Sequence, residues 1–181
     1  SSVLNTSYKQ ALKQLIEHNG QVPAAIVFLG DNIYPKGMPE EDHRYRNESE
    51  EIITGQVQLA NAPSIKKYFI PGNHDWQKGG RHGLTQLLNQ QDWIEAYFLP
   101  RNGCPGPVTV PLNDDLMLVI IDSQWWLHPW EKPEGENSLC DQKTREEMIS
   151  ELRDVLLQHR DKQIVVAAHH PIYTYGEHGG Y

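Results

Sequence analysis

Apolar runs punctuated by glycine or proline set the rhythm of this chain. The run 24–29, Ala-Ala-Ile-Val-Phe-Leu, ends at Gly30. Tyr68-Phe69-Ile70 ends at Pro71-Gly72, and the run 116–121, Leu-Met-Leu-Val-Ile-Ile, ends at Asp122. Ile164-Val165-Val166-Ala167-Ala168 ends at His169-His170-Pro171. Short continuous apolar runs bounded by turn residues predict buried strands, here over 24–29, 67–70, 116–121 and 163–168. Between them the spacing turns helical. Tyr8, Ala11, Leu12, Leu15 and Ile16 share one face of a helix predicted over 6–19, with Thr6 or Ser7 as its cap and Gly20 as its stop. A highly charged helix with few apolar anchors is predicted over 43–60. Shorter helices are predicted over 83–89 and 91–98, and an amphipathic one over 144–159 with Met148, Leu152, Val155 and Leu156 inward. The region 100–111 is rich in Gly and Pro and reads as turns. The stretch 124–141 reads as an irregular loop in which Trp125, Trp126 and Trp130 pack. Strands alternating with helices give an α/β class with a largely buried sheet in a single domain over 1–181.

Composition narrows the picture. A hydrophobic share of 38% and a charged share of 22% suit a soluble, folded domain with a core. No apolar stretch approaches the ~20 residues that span a bilayer, so no transmembrane segment is expected. The formal net charge of −8 argues against a nucleic-acid backbone as partner. It leaves phosphate substrates open, because bound cations reverse a local field. The two cysteines, Cys104 and Cys140, both lie among turn formers. Whether they pair stays open at this level; loop cysteines are weakly in keeping with an oxidising compartment.

The chemistry gathers at strand ends. Gly30-Asp31-Asn32-Ile33-Tyr34, Gly72-Asn73-His74-Asp75 and His169-His170-Pro171 each follow an apolar run. Ligands of α/β sheets bind beyond the carboxyl ends of the strands. These blocks are therefore expected to meet at one edge of one sheet, where a carboxylate, a phenol, an amide and imidazoles suit a pair of hard-to-borderline cations. Asp31 has two oxygens and can bridge two ions. Tyr34, three residues on, can reach the same ion, although a phenol ionises only near pH 10 without strong cationic help. Asn73 offers an amide oxygen and His74 an imidazole. Asp122 ends another strand, either to orient a ligand histidine or simply to cap a turn. His18, His43, His82, His128 and His159 have no partner spacing and are expected at the surface. No P-loop, dinucleotide fingerprint or Gly-x-Ser-x-Gly elbow occurs.

Together the three blocks resemble those of the calcineurin-like metallophosphoesterases. Tyr34, and His178 nine residues after His169 within Glu-His-Gly, are similar to the purple acid phosphatase branch. The resemblance implies a two-sheet sandwich flanked by helices. It implies phosphate-ester hydrolysis at a dinuclear centre of iron with zinc, manganese or a second iron. Asp31 would bridge, Tyr34 would bind the ferric-type ion, and Asn73 and His169 the divalent one. His74 and His178 would contact the phosphoryl group and supply the proton for the leaving group. Asp75, Asp122 and His170 would support the ligands. The substrate would be a phosphorylated small molecule or phosphoprotein, and the setting extracytoplasmic, secreted or periplasmic. Alternatives on the same residues are a phosphodiesterase or nucleotide pyrophosphatase, or a non-catalytic binding module. The family's first Asp block and its closing Gly-His-x-His block are missing. The expectation is therefore a domain incomplete at both ends, with incomplete metal loading.

Overall fold

The computed structural model describes residues 6–18, 24–59, 65–136 and 138–175. Along them run five strands and five α-helices: α1 Thr6–His18, β1 Ala24–Phe28, α2 Arg46–Leu59, β2 Ile65–Phe69, α3 Gly83–Ile94, β3 Val108–Pro111, β4 Leu116–Ile120, α4 Ser123–Leu127, α5 Arg145–Gln158 and β5 Gln163–Ala167. The strands form two sheets. β1 and β2 pair in parallel, with Ala24 opposite Ile65 and Phe28 opposite Phe69. In the second sheet β4 lies between antiparallel β3 and parallel β5. This corrects the expectation of a single sheet and agrees with the two-sheet sandwich. A parallel strand needs a long crossover, and the stretch from β2 to β4 is used instead to start a second layer.

Side-chain alternation shows how the layers stack. On β2, Phe69 faces a core of Ile33, Met38, Ile53, Trp76, Leu87, Ile94, Phe98 and Trp125, with Phe28 beside it. The Phe28 and Phe69 rings stack with centroids 4.2 Å apart. Tyr68 and Ile70 point the other way and meet Leu118 and Ile120 of β4 between the sheets. Met117 and Val119, the intervening β4 positions, meet Val155 and Leu152 of α5. The order is therefore helices, sheet, sheet, helix.

Several elements depart from the sequence pattern. α3 is one helix to Ile94, not two, because Leu87, Gln90, Gln91 and Ile94 form a single buried stripe through the expected break. It stops where Glu95 adopts a φ of 60°. β3 arises inside the region read as turns, and α4 inside the region read as irregular loop. β5 is exposed along much of its length, with Val165 and Val166 nearly half-exposed. It has a strand on one side alone among the described residues, so its apolar run does not mean burial. On α1, Ala11 and Leu15 are exposed and Ile16 is half-buried; the side chains of Thr6, Ser7, Tyr8 and Leu12, and Gly20, lie outside the description. On α5 the expected inner face holds, with Met148 and Val155 buried. Thr144 caps its start by accepting from Glu147 N at 3.1 Å. Cys104 and Cys140 form a disulfide that ties the segment before β3 to the segment before α5.

Candidate functional site

Although β1 and β2 belong to one sheet and β5 to the other, the loops at their carboxyl ends meet at one rim. Gly30, with φ of 87°, turns the chain out of β1. A Cβ there would lie 2.7 Å from His169 Nδ1 and 2.8 Å from the Gly72 backbone. A Cβ on Gly72 would lie 2.3 Å from Asp31 N. All three blocks thus touch where two glycines leave room. Asp31 itself has a φ of 55°, a left-handed conformation that an L residue adopts at some strain and that is common at functional sites.

The two oxygens of Asp31 face different neighbours. Oδ2 accepts from the Tyr34 hydroxyl at 2.9 Å. Oδ1 accepts from His74 N at 2.9 Å and lies 3.4 Å from His169 Nε2. His169 Nε2 is also 3.0 Å from Asn73 Oδ1. The other ring nitrogen of His169, Nδ1, is 2.8 Å from the Leu29 carbonyl. A carbonyl only accepts, so Nδ1 carries a hydrogen and Nε2 faces two oxygen acceptors. Three electron-rich atoms converge there. A cation, either a proton or a metal ion, resolves that geometry. An amide oxygen, a carboxylate oxygen and an imidazole nitrogen suit a borderline divalent metal, and the Tyr34 side suits a harder ion. Among the described residues no group of three or more His, Cys, Asp or Glu is positioned to hold an ion; the donor set here relies on Asn73 and Tyr34.

Tyr34 sits beside His74, with ring centroids 4.1 Å apart. Partial burial, and the hydrogen bond and negative charge of Asp31, push the phenol up to about 12, so it remains protonated and donates to the carboxylate. Only a strong cation would reverse that. His74 Nδ1 donates to the Pro35 carbonyl at 2.6 Å. Its Nε2 therefore faces the rim, 3.9 Å from Asp31 Oδ2.

Asp75 is the strut beneath. It is fully buried and accepts from Gly72 N at 2.8 Å, Asn32 N at 3.0 Å, Ile33 N at 3.3 Å and Asn32 Nδ2 at 3.2 Å. It locks the first block to the second. Burial pushes its carboxyl up to about 7, with these N–H groups pulling the other way. Asn32, which sequence reasoning left without a role, completes the strut. Its Nδ2 also donates to the Ile70 carbonyl at 3.0 Å, and its own carbonyl accepts from Gln56 of α2 at 2.7 Å. An Asn following Gly-Asp was the one available signal.

The remaining candidates stand elsewhere. Asp122 touches no histidine. It caps α4 by accepting from Gln124 N and Trp125 N, and accepts from Trp76 Nε1 at 2.8 Å. Of the two alternatives, these hydrogen bonds realise the cap. His170 meets Ser123, whose Oγ lies 2.9 Å from its Nδ1. Burial lowers its pKa. His178 lies outside the described residues. His128, expected at the surface, is buried against the Trp76 ring at 4.6 Å, because the short helix α4 folds it inward beneath Gly83.

The chain is 25% identical over 182 residues to tartrate-resistant acid phosphatase type 5 of Rattus norvegicus, covering 97% of the chain and 53% of the relative. It therefore spans about half the length of that curated relative. No solved structure matches it significantly. The profile for calcineurin-like phosphoesterases matches residues 6–181. With nearly all its length inside that match, the chain belongs to the calcineurin-like phosphoesterase family.

Proposed function

We propose that this chain carries the Asp31-centred donors of a dinuclear site that hydrolyses phosphate esters, of the acid phosphatase type. One observation carries the reading: the two oxygens of a single carboxylate face two separate donor sets, Tyr34 on one side and Asn73 with His169 on the other. Tyr34 would hold a ferric-type ion, and Asn73 and His169 a zinc, manganese or ferrous ion. Bound there, the pair would activate water and neutralise phosphoryl oxygens. The protein's own part is positional. Asp31 holds the two sites together, Asp75 and Asn32 fix the loops that carry them, and the carbonyls of Leu29 and Pro35 set the tautomers of His169 and His74. As an imidazolium, with Nδ1–H on the Pro35 carbonyl and Nε2–H at the rim, His74 would contact the phosphoryl oxygens and give its Nε2 proton to the leaving oxygen. His178 shares that task. The substrate is a phosphorylated small molecule or phosphoprotein. The Cys104–Cys140 bridge supports an extracytoplasmic setting.

Metal titration followed by inorganic or plasma emission analysis tests this directly. Ferric ion is expected to give a visible charge-transfer band that Tyr34→Phe abolishes, while Asn73→Ala leaves the band and weakens the divalent ion at least tenfold. Because Tyr34 and His169 meet one carboxylate, Asp31→Asn is expected to weaken both ions. Independent loss of one ion without effect on the other in Asp31→Asn defeats the bridging role. No band in the wild type removes the assignment of Tyr34.

A further inference from the structure

Two histidines leave β5 together, and one oxygen holds the second of them. The backbone N of His170 donates to Ser123 Oγ at 3.0 Å, and its ring Nδ1 lies 2.9 Å from the same atom. One hydroxyl thus fixes both the main chain and the ring of His170. Three observations give that attachment a purpose. First, α4 does not need the Ser123 hydroxyl. Asp122 already caps the helix, accepting from Gln124 N at 2.9 Å and Trp125 N at 3.1 Å. Second, the carboxyl ends of β4 and β5 run side by side. Ile120 pairs with Ala167, and Ile121 N donates to the Ala167 carbonyl at 3.1 Å. Ser123 meets His170 just beyond that ladder and carries the join into the third block. Third, the His170 ring stands at 85° to the His169 ring, with centroids 4.8 Å apart. That is the geometry of a favourable edge-to-face contact. His169 has its Nδ1 on the Leu29 carbonyl at 2.8 Å. The torsion that turns a histidine ring is soft, so one hydrogen bond at one nitrogen still lets the ring tilt about that bond. A second ring, itself tethered, removes the freedom.

We propose that Ser123 is a positioning residue for the divalent ion: acting through the His170 ring, it fixes the tilt of His169 and keeps Nε2 aimed at Asn73 Oδ1 and Asp31 Oδ1. An apolar side chain at 170 could touch His169 but would have no nitrogen by which Ser123 could set its orientation. The effect is confined to one of the two ions, because Tyr34 meets the other oxygen of Asp31. The inference rests on the proposed dinuclear site for the identity of the ions; the tether itself is a property of the protein alone.

Two titrations and one spectrum test this. Zinc is followed by calorimetry and ferric ion by its visible band, in the wild type, Ser123→Ala, Ser123→Thr and His170→Ala. Ser123→Ala and His170→Ala are each expected to weaken zinc about tenfold, the usual effect of removing a group that orients a ligand histidine, and to leave the ferric band in place. Ser123→Thr keeps the hydroxyl and is expected to restore zinc affinity. Its methyl has room, since Ser123 lines a cavity of about 370 Å³ with Trp126, Leu152 and Val166. Because Ser123 acts through the His170 ring, the double variant Ser123→Ala with His170→Ala should lose less than the product of the two single losses. A merely structural role would weaken both ions alike. The metal-free protein supplies the spectrum. The ring carbon–proton NMR signals of His169 are expected to shift and broaden in Ser123→Ala and to keep their wild-type positions in Ser123→Thr. Wild-type zinc affinity in Ser123→Ala, equal loss of both ions, or unchanged His169 ring signals overturns the proposal. If the wild type binds neither ion, the dinuclear-site reading falls, and the ring signals alone decide whether Ser123 positions His169.

Discussion

A single methyl group on Gly72 tests how tightly the rim is built. The Cβ of Gly72→Ala would meet Asp31 N at 2.3 Å, Asp31 Oδ1 at 2.5 Å and His169 Cε1 at 2.9 Å. Two of those atoms belong to side chains that face the proposed cations, and one is backbone, so the strain cannot be absorbed by a flexible tip. We expect a loss of stability of about 1–3 kcal/mol, typical of overpacking, read by thermal or urea melts. We also expect divalent-ion affinity to fall more than tenfold, because Asp31 and His169 move apart. An Ala at Gly55, where a Cβ meets nothing within 4 Å and the residue lies inside α2, should instead be neutral or stabilising. At this scale the sequence reveals which residue types meet but not their partners. Asp31, Asn73 and His169 converge as their strand-end positions suggested. Asp122 finds Trp76, which is 46 residues distant, and no local pattern around Asp122 hints at an indole there. His128 is hidden for the same reason: its neighbour Trp76 comes from another loop.

Among elements, the disulfide bears the clearest consequence. Cys104 and Cys140 are 36 residues apart, and their bridge spans β3, β4 and α4. Closing a loop of that length in the unfolded chain corresponds to about 4 kcal/mol in the chain-entropy account. Cys104→Ser with Cys140→Ser is therefore expected to lower unfolding stability by about 2–4 kcal/mol, measured by urea denaturation. Metal affinity should change little, since neither cysteine touches the rim. A double variant as stable as the parent would show that the bridge adds nothing to stability. Strands announced by apolar runs are legible at β1, β2 and β4, whose side chains meet a core on either face. β3, four residues with exposed Thr109 and a closing Pro111, had no such run. Its place beside β4 is decided by tertiary pairing. β5 shows the reverse failure. Its composition matches a buried strand, yet it lies at the edge of the described sheet and leaves Val165 and Val166 to solvent. Periodicity sees the residue types, not the number of neighbours a strand will have.

For the whole molecule, pH is the natural probe, because two carboxylates are fully buried in a chain of formal charge −8. Burial raises Asp122 to about 7, against the pull of Trp76, Trp125 and Gln124, and the charge of Asp75 adds to the rise. A carboxyl with a raised folded-state pKa holds its proton in the native protein after the unfolded chain has lost it. Its contribution is therefore fully present below the unfolded value, near pH 4, and is lost as pH climbs to about 7. Asp75 adds a loss of the same sign over the same window. General repulsion among surface acids would also weaken the fold as they ionise, so the slope alone does not identify the cause. Asp122→Asn does. It keeps an oxygen for the two backbone N–H groups of α4 but turns an N–H toward the Trp76 indole, at a cost of about 1–3 kcal/mol. Relative to the parent it should be clearly weaker at pH 5, and the gap should narrow toward pH 7 as the parent gives up its stabilisation. Urea melts across pH 5 to pH 8 measure both curves. Parallel curves would mean that Asp122 is already ionised throughout, held as an anion by its three N–H donors. The part of the pH dependence assigned to Asp122 would then fail, leaving Asp75 and surface charge as its source.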